Sequence, residues 1–405
     1  MKIRAISVFR VLVTSIFFLA PLGQAFVYYF SITIPPHTVL TVLAFSTGVF
    51  SARLILKPHL IILIYVLLVF YLFIVTVFVS FSPYYLGFAL EKTIRSLTMI
   101  GPALLVFFVF RSNLNSNDID ETKIYIKAFI FGVIVSVFIA FYLFFTGNIF
   151  WGGRLSYSSE YNPAVFGAFT ASALILLLGF PRYIYSSKIT IIGIAIILII
   201  ALVMSQARNS IFGIILGGMI AIYLARRYWL PSPRKLLSAV AFIALIAMVL
   251  FLAIDSGFIP PEYYARIVLT LSTDDFAEGT AGRTVILMNY LEWGISAFGY
   301  GVDRDAYMVF SEGKWLGSAP HNSYLDILVS GGVLGLGIFL IFLGLILHRS
   351  LKATREKRFV MVWLACFWIF IAAGNDTYNH VIFWIPFALW AFLETTDRRK
   401  RKILF

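Results

Sequence analysis

The sequence predicts an all-α membrane protein with about twelve transmembrane helices and one enlarged outer loop that carries short helices at the membrane surface. The composition points to this class, because 61% of the 405 residues are hydrophobic and only 13% are charged. A soluble domain usually has about 45–50% apolar and about 25% charged residues. A chain this apolar cannot bury its hydrophobic side chains in a water-soluble core, so the composition excludes a soluble enzyme.

A series of long apolar runs supports the same class. A helix needs roughly 20 residues to cross a hydrocarbon core about 30 Å thick. The run at 189–225 is too long for one crossing, and the polar stretch at 205–209 predicts two spans that meet in a very short turn. The complete set of predicted spans is 9–30, 38–56, 60–80, 96–110, 124–146, 163–180, 189–204, 209–225, 236–254, 323–347, 359–374 and 379–394.

The distribution of basic residues predicts the orientation of these spans. With the N-terminus placed in the cytoplasm, about three quarters of the 32 lysines and arginines fall in cytoplasmic segments. Both termini are therefore predicted to be cytoplasmic, and the net charge of +13 reflects orientation rather than a nucleic-acid partner. The chain then divides into nine spans at 1–254, an outer loop at 255–322, and three spans with a basic tail at 323–405, all within one integrated domain.

Of the arginines that run against this charge bias, three are candidates for function. Arg208 lies in the short turn between two spans, Arg283 lies in the outer loop, and Arg154 precedes the sixth span. A guanidinium group binds phosphate through two parallel hydrogen bonds and keeps its charge when partly buried. The alternative for each is an arginine that reaches lipid phosphate or solvent from the interface. The functional interpretation is a set of cations that bind a phosphate-bearing ligand.

A histidine at the start of the tenth span is a candidate base. His321 lies at the predicted water interface, where an imidazole titrates near neutrality and can accept a proton. An interfacial histidine without a role is the alternative. The next residue, Asn322, can cap the helix that follows, and Gly331, Gly332 and Gly335 permit close helix packing.

Two pairs of carboxylates could in principle hold a divalent metal. Asp303 and Asp305 have D-x-D spacing, and Asp274 and Asp275 are adjacent. Arg304 lies between the first two and can neutralise them without metal, so we expect no metal site there. The single cysteine, together with five histidines that lack metal-ligand spacing, predicts no zinc site.

The motifs occur in an order that resembles the O-antigen ligase and polymerase superfamily. Twelve spans and an enlarged outer loop before the His-Asn motif are also similar to the architecture of that family. The resemblance covers residues 154–335, and the first 150 residues match only in hydropathy. The motif set comprises Arg154 with Asn162-Pro163, Ser205-x-x-Arg208, Gly282-Arg283, Gly299-Tyr300-Gly301, His321-Asn322-Ser323-Tyr324-Leu325, and Gly331-Gly332 with Gly335.

This resemblance implies an inner-membrane glycosyltransferase with a GT-C-like fold and no cofactor. The implied reaction is an inverting, metal-independent transfer of O-antigen polysaccharide from undecaprenyl diphosphate to lipid A-core on the periplasmic side, which completes lipopolysaccharide. The implied partners are the lipid-linked donor, the lipid A-core acceptor and membrane lipids. By position, Arg208 and Arg283 would bind the diphosphate and His321 would be the base. Substrate contacts are implied for Arg154, Asn322 and Tyr324.

Two alternatives remain open at this point. An O-antigen or exopolysaccharide polymerase would use the same donor with a second lipid-linked glycan as the acceptor, and the shared motifs do not separate the two enzymes. The compact outer loop favours the ligase over the protein O-oligosaccharyltransferases of the same superfamily, but it does not exclude a polymerase. A twelve-span transporter belongs to a different class and would have two related halves and charges at mid-membrane, neither of which the sequence displays.

Overall fold

The described part of the chain is almost entirely helical. A computed structural model of the chain describes residues 2–22, 30, 36–50, 60–80, 119–147, 155–156, 163–180, 187–225, 296–301, 310–311, 314–315, 322–374, 385, 387–391 and 393–394. Within these ranges the only strands are the two-residue β1 (Phe310–Ser311) and β2 (Lys314–Trp315), which pair antiparallel. The all-α prediction therefore holds for the described residues, apart from this minimal ladder.

The described helices from Leu60 onward correspond closely to the predicted spans, whereas the first helix begins at Lys2, seven residues before the predicted span 9–30. Predicted spans 96–110 and 236–254 lie outside the described residues, and the last predicted span is described only in part. The run at 189–225 forms two helices, as the polar interruption predicts. The helices are α1 (Lys2–Leu19, continued by a 3₁₀ turn at Ala20–Leu22), α2 (Pro36–Phe50), α3 (Leu60–Ser80), α4 (Ile119–Phe145), α5 (Pro163–Gly179), α6 (Lys188–Met204), α7 (Arg208–Ala225), α8 (Ser323–Leu351) and α9 (Arg355–Gly374).

The lengths and compositions of these helices make the chain a membrane protein. Three segments are long and apolar enough to cross a bilayer, namely Thr122–Phe145, Ser323–Leu351 and Lys357–Gly374. At 1.5 Å per residue, the shortest of them reaches about 27 Å. Five further apolar helices are slightly shorter. Large hydrophobic side chains also remain exposed on the helix surfaces, where lipid tails would cover them.

Small residues allow α7 to pack closely on α9. An added Cβ at Gly217 would lie 3.1 Å from the backbone nitrogen of Phe367, and one at Gly218 would lie 3.2 Å from the indole of Trp363. That indole N–H donates to the carbonyl oxygen of Ile214 at 2.9 Å. The absence of side chains at these glycines permits the close approach on which packing between membrane helices depends.

Helix α8 is interrupted at Gly332, its tenth residue. Gly332 has φ +66° and ψ −166°, a conformation that only glycine adopts readily. The break lies about 14 Å along the helix from its first residue. Gly331 and Gly335 pack against the ring of Tyr71 on α3, which agrees with the close packing predicted for these glycines. The helix break itself was not predicted.

A non-helical segment at 296–301 exchanges hydrogen bonds with both sides of this break. The backbone N–H groups of Tyr300 and Gly301 donate to the carbonyl oxygens of Val329 and Ser330, each at 2.9 Å. On the other side, the N–H groups of Val333 and Leu334 donate to Ser296 and Ala297 at 3.1 and 3.2 Å. Backbone groups inside a membrane must find such partners within the protein.

Helix α3 clamps this arrangement. The hydroxyl group of Tyr71 lies 2.8 Å from the carbonyl oxygen of Gly331 and 3.0 Å from that of Phe298, so it can donate to either. The outer loop was predicted to form short helices at the membrane surface. The residues expected to form those helices, 263–293, lie outside the described residues, so this stays a prediction. The 296–301 segment of the same loop is not helical and packs between α3 and α8, because the backbone groups freed at Gly332 require partners.

Candidate functional site

The short turn between α6 and α7 is the centre of the candidate site. Helix α6 ends at Met204, and Ser205 caps it, with its hydroxyl donating to the Leu202 carbonyl oxygen at 2.7 Å. The same hydroxyl accepts the backbone N–H of Ala207 at 3.3 Å. One serine side chain therefore closes the end of α6 and shapes the turn that leads into α7.

Gln206 in this turn is both strained and buried. Its φ of +50° is the only positive value for a non-glycine residue in the described part of the chain. A helix usually ends with glycine or asparagine in this left-handed conformation, because other side chains are strained there. Gln206 is 4% exposed, and neither its amide nitrogen nor its amide oxygen has a hydrogen-bond partner there. The strain costs about 1–3 kcal/mol, and the unsatisfied amide costs a similar amount.

Arg208 is the first residue of α7 and is partly exposed. A helix N-terminus carries a partial positive charge, which favours anions and disfavours a cation at that position. The guanidinium and the backbone N–H groups of this helix end can therefore act together on an anion such as phosphate.

Helix α5 and the residues before it pack against the same turn. The backbone N–H of Leu155 donates to the Met204 carbonyl oxygen at 3.0 Å, which brings the residue after Arg154 in the sequence to the end of α6. On α5, an added Cβ at Gly167 would overlap the side chain of Ala207 and lie 3.2 Å from the Ser205 hydroxyl oxygen. The turn is thus enclosed on one side by α5.

The end of α9 lies on another side of the turn. The side-chain amide of Asn209, the residue after Arg208, donates to the Gly374 carbonyl oxygen at 2.8 Å. Gly374 is the last residue of α9, and the absence of a Cβ there leaves room for the Asn209 amide. This contact fixes the start of α7 against the end of α9.

The same helix α9 also contacts the start of α8. The hydroxyl of Tyr324 donates to the Ile369 carbonyl oxygen at 3.0 Å, and its ring packs edge-on against Phe339 at 5.7 Å between ring centres. The end of the bundle that contains Met204, Arg208, Ser323 and Gly374 is called the site end below. Tyr324 was predicted to contact substrate; the structure shows its hydroxyl bonded to α9, and substrate contact stays a prediction.

Asn322 caps α8 as the sequence predicts. Its side-chain oxygen accepts the backbone N–H groups of Tyr324 and Leu325 at 3.0 and 3.2 Å. Asp326 in the first turn, which is favourable at a helix N-terminus, accepts the hydroxyl of Ser330 at 3.2 Å. The start of α8 is therefore a rigid support for the residue that precedes Asn322 in the chain.

Several predicted site residues cannot be placed from this structure. His321, Arg283 and Arg154 lie outside the described residues, as do the carboxylate pairs Asp303 with Asp305 and Asp274 with Asp275. Their roles stay predictions.

Among the described candidates, the structure brings Arg208 and Asn322 to the same end of the bundle, with α9 between their helices. Neighbouring helix axes lie about 8–10 Å apart, so α7 and α8 are separated by about 20 Å at most.

Sequence reasoning missed Gln206 and Ser210. Ser210, in the first turn of α7, is fully buried, and its hydroxyl also lacks a hydrogen-bond partner among the described residues. The available signal was a glutamine at a helix end, where glycine or asparagine is usual. Its burial is a property of the folded turn, which the local sequence does not reveal.

Comparison with known proteins agrees with the motif order. Residues 193–340 match the family model described as O-antigen ligase. This range includes Arg208, Arg283, His321, Asn322 and Tyr324, whereas Arg154 precedes it. The chain is also 24% identical over 311 residues to a Rickettsia conorii protein provisionally named a polysaccharide ligase, across 74% of this chain and 73% of the relative. The predicted resemblance is confirmed: residues 193–340 of this membrane protein are similar to the O-antigen ligase family.

Proposed function

We propose that the protein transfers O-antigen polysaccharide from undecaprenyl diphosphate to lipid A-core at the site end, as an inverting glycosyltransferase that needs no metal. The observation that carries the proposal is the position of Arg208. A guanidinium at the N-terminus of a membrane helix, in a region similar to the O-antigen ligase family, fits a ligand with negatively charged phosphates.

The chemistry requires little beyond positioning and charge stabilisation. The acceptor hydroxyl oxygen forms a bond to the anomeric carbon, and the bond from that carbon to the diphosphate oxygen breaks. The bonding electrons leave with the diphosphate, whose negative charge Arg208 and Arg283 would stabilise. The proton of the acceptor hydroxyl would pass to His321. Because the acceptor attacks from the face opposite the leaving group, the configuration inverts.

The charge distribution along the helices supports a periplasmic location for the site end. The opposite ends of the same helices carry basic residues, with Lys188 opening α6, Arg355 opening α9 and Arg349 in the last turn of α8. Basic residues concentrate on the cytoplasmic side of membrane proteins. Twelve spans with both termini in the cytoplasm, in the inner membrane, are the arrangement that we propose.

The test is glycan transfer by purified protein in lipid nanodiscs, with undecaprenyl-diphosphate-linked O-antigen as the donor and lipid A-core as the acceptor. Arg208→Ala should lower the rate about 10²–10³-fold. Arg208→Lys should also fail, because a compact ammonium cannot reproduce the two parallel hydrogen bonds of a guanidinium. Full transfer by the purified Arg208→Lys protein would contradict the assignment.

A matched control is Arg358→Lys near the opposite end of the bundle. Arg358 donates through two nitrogens to the Ala353 carbonyl oxygen at 2.9 and 3.0 Å. Its replacement by lysine therefore also exchanges a guanidinium with two hydrogen bonds for an ammonium, but away from the site. We expect transfer to persist in this variant. Omitting lipid A-core separates ligase from polymerase, because only a polymerase lengthens the lipid-linked glycan without that acceptor.

A further inference from the structure

Gln206 carries two energetic penalties that glycine at the same position would avoid. Its positive φ strains a residue with a side chain, and its buried amide has no hydrogen-bond partner in the described part of the chain. The structural role of the position, which is to end α6 in a left-handed conformation, requires neither the amide nor its length. A residue whose structural role is better filled by glycine points to a function for its side chain.

The neighbouring groups show what kind of ligand the amide would meet. Gln206 lies two residues before the first residue of α7, so its amide is enclosed at the positive end of an 18-residue helix. Ser210 adds a second buried hydroxyl without a partner in the first turn. Arg208 lies between them in the sequence and is partly exposed. Residues 206–210 thus supply the guanidinium of Arg208, the amide N–H donor and amide oxygen acceptor of Gln206, and the hydroxyl donor of Ser210.

We propose that the side-chain amide of Gln206, with the hydroxyl of Ser210, binds the glycosyl diphosphate of the donor where the first sugar joins the phosphates. This inference rests on the proposed function and names the substrate group that the site recognises. The amide nitrogen donates to a phosphate oxygen, whereas the amide oxygen accepts from a hydroxyl or N–H group of the sugar.

The two ends of the amide distinguish this ligand from a simpler anion. Phosphate oxygens at neutral pH accept hydrogen bonds, so bare diphosphate satisfies the amide nitrogen and the Ser210 hydroxyl but leaves the amide oxygen without a partner. A sugar attached to the diphosphate supplies the missing donor. Gln206 is therefore a specificity-determining residue for glycosylated over bare polyprenyl diphosphate.

The test is a binding experiment that does not require transfer. Purified full-length protein in nanodiscs is titrated with undecaprenyl-diphosphate-linked glycan or with bare undecaprenyl diphosphate, and the unfolding temperature reports binding. In the natural protein the glycosylated lipid should bind more tightly. In Gln206→Gly its Kd should rise about 10- to 100-fold, the range expected for lost hydrogen bonds to a charged ligand, and the preference for the glycosylated lipid should disappear.

The stability of the unliganded variants separates function from structure. Gln206→Gly should unfold at a higher temperature than the natural protein, because the strain and the unsatisfied amide are both removed. The matched control is Gly147→Gln, since Gly147 follows α4 with φ +80° and open space around an added side chain. That variant should unfold at a lower temperature while binding both lipids as the natural protein does.

The outcomes distinguish this inference from the proposed function. If Gln206→Gly keeps the preference for the glycosylated lipid, or unfolds at a lower temperature than the natural protein, the inference is overturned while the proposed function stands. If the natural protein prefers the glycosylated lipid through Gln206 but transfers no glycan, the proposed function fails and the inference stands. If the natural protein binds neither lipid, both fail.

Discussion

Replacing Gly332 with alanine tests whether the break in α8 is essential. At φ +66° and ψ −166°, a residue with a side chain costs about 1–3 kcal/mol more than glycine. The added Cβ would lie 2.5 Å from the carbonyl carbon of Ala297 and from the backbone nitrogen of Gly299. Both atoms belong to the backbone and cannot rotate away, so the 296–301 segment must leave the helix.

The loss of that segment sets the size of the effect. It exchanges four backbone hydrogen bonds with α8, each of which contributes about 0.5–1.5 kcal/mol. Together with the strain at the glycine, we expect Gly332→Ala to lower the free energy of unfolding by at least about 3 kcal/mol. Glycan transfer should fall as well, because the half of α8 that loses hydrogen bonds from Val329 and Ser330 begins at the Asn322 cap.

Gly337→Ala on the same helix is the matched control. An added Cβ at Gly337 meets no atom within 4 Å, and alanine is about 1 kcal/mol more favourable than glycine inside a helix. This variant should be as stable as the natural protein or slightly more so. Both variants are compared in nanodiscs by equilibrium unfolding and by initial transfer rates. Equal unfolding free energies for Gly332→Ala and Gly337→Ala would refute a broken α8 held by the 296–301 segment.

Three smaller changes test the contacts around the site. Tyr71→Phe keeps the ring but removes the hydroxyl that clamps the break, and should lower the unfolding free energy by about 1–2 kcal/mol; an unchanged value would exclude the clamp. Asn322→Ala should cost about 1 kcal/mol and reduce kcat, whereas Asn322→Ser should recover the stability in the same unfolding assay. Gly167→Ala should slow transfer by displacing the turn before Arg208, whereas Gly193→Ala on α6, in open space, should leave the rate unchanged.

The parts of the fold that depend on local sequence could be predicted. Apolar runs define helices because a membrane segment must satisfy its own backbone, so hydropathy located α3 to α9 closely. The polar interruption at 205–209 predicted the turn between α6 and α7 for the same reason. Asn322 was predicted as a cap because an N-cap side chain bonds backbone N–H groups only two or three residues further along the chain.

The parts that depend on distant contacts could not be predicted. Gly299 and Gly332 are 33 positions apart, yet each occupies space that a Cβ on the other would need. A sequence pattern can mark such glycines, but it cannot say whether they serve helix packing or a helix break. Gln206 was missed for a related reason. Its burial and its lack of hydrogen-bond partners arise only in the folded turn. The burial of a single polar residue leaves no periodic pattern in the sequence.

The contacts at the site end also explain why the motifs alone describe an incomplete site. The motif set contains no residue of α9, yet α9 binds Asn209 through Gly374 and Tyr324 through Ile369. These two carbonyl groups are five residues apart, or about 7.5 Å along the helix. The starts of α7 and α8 are therefore held by one short stretch of α9. Helix α9 therefore sets the separation between Arg208 and the start of α8, although its own residues carry no candidate chemistry. This separation also sets the geometry that the proposed diphosphate-linked substrate must fit.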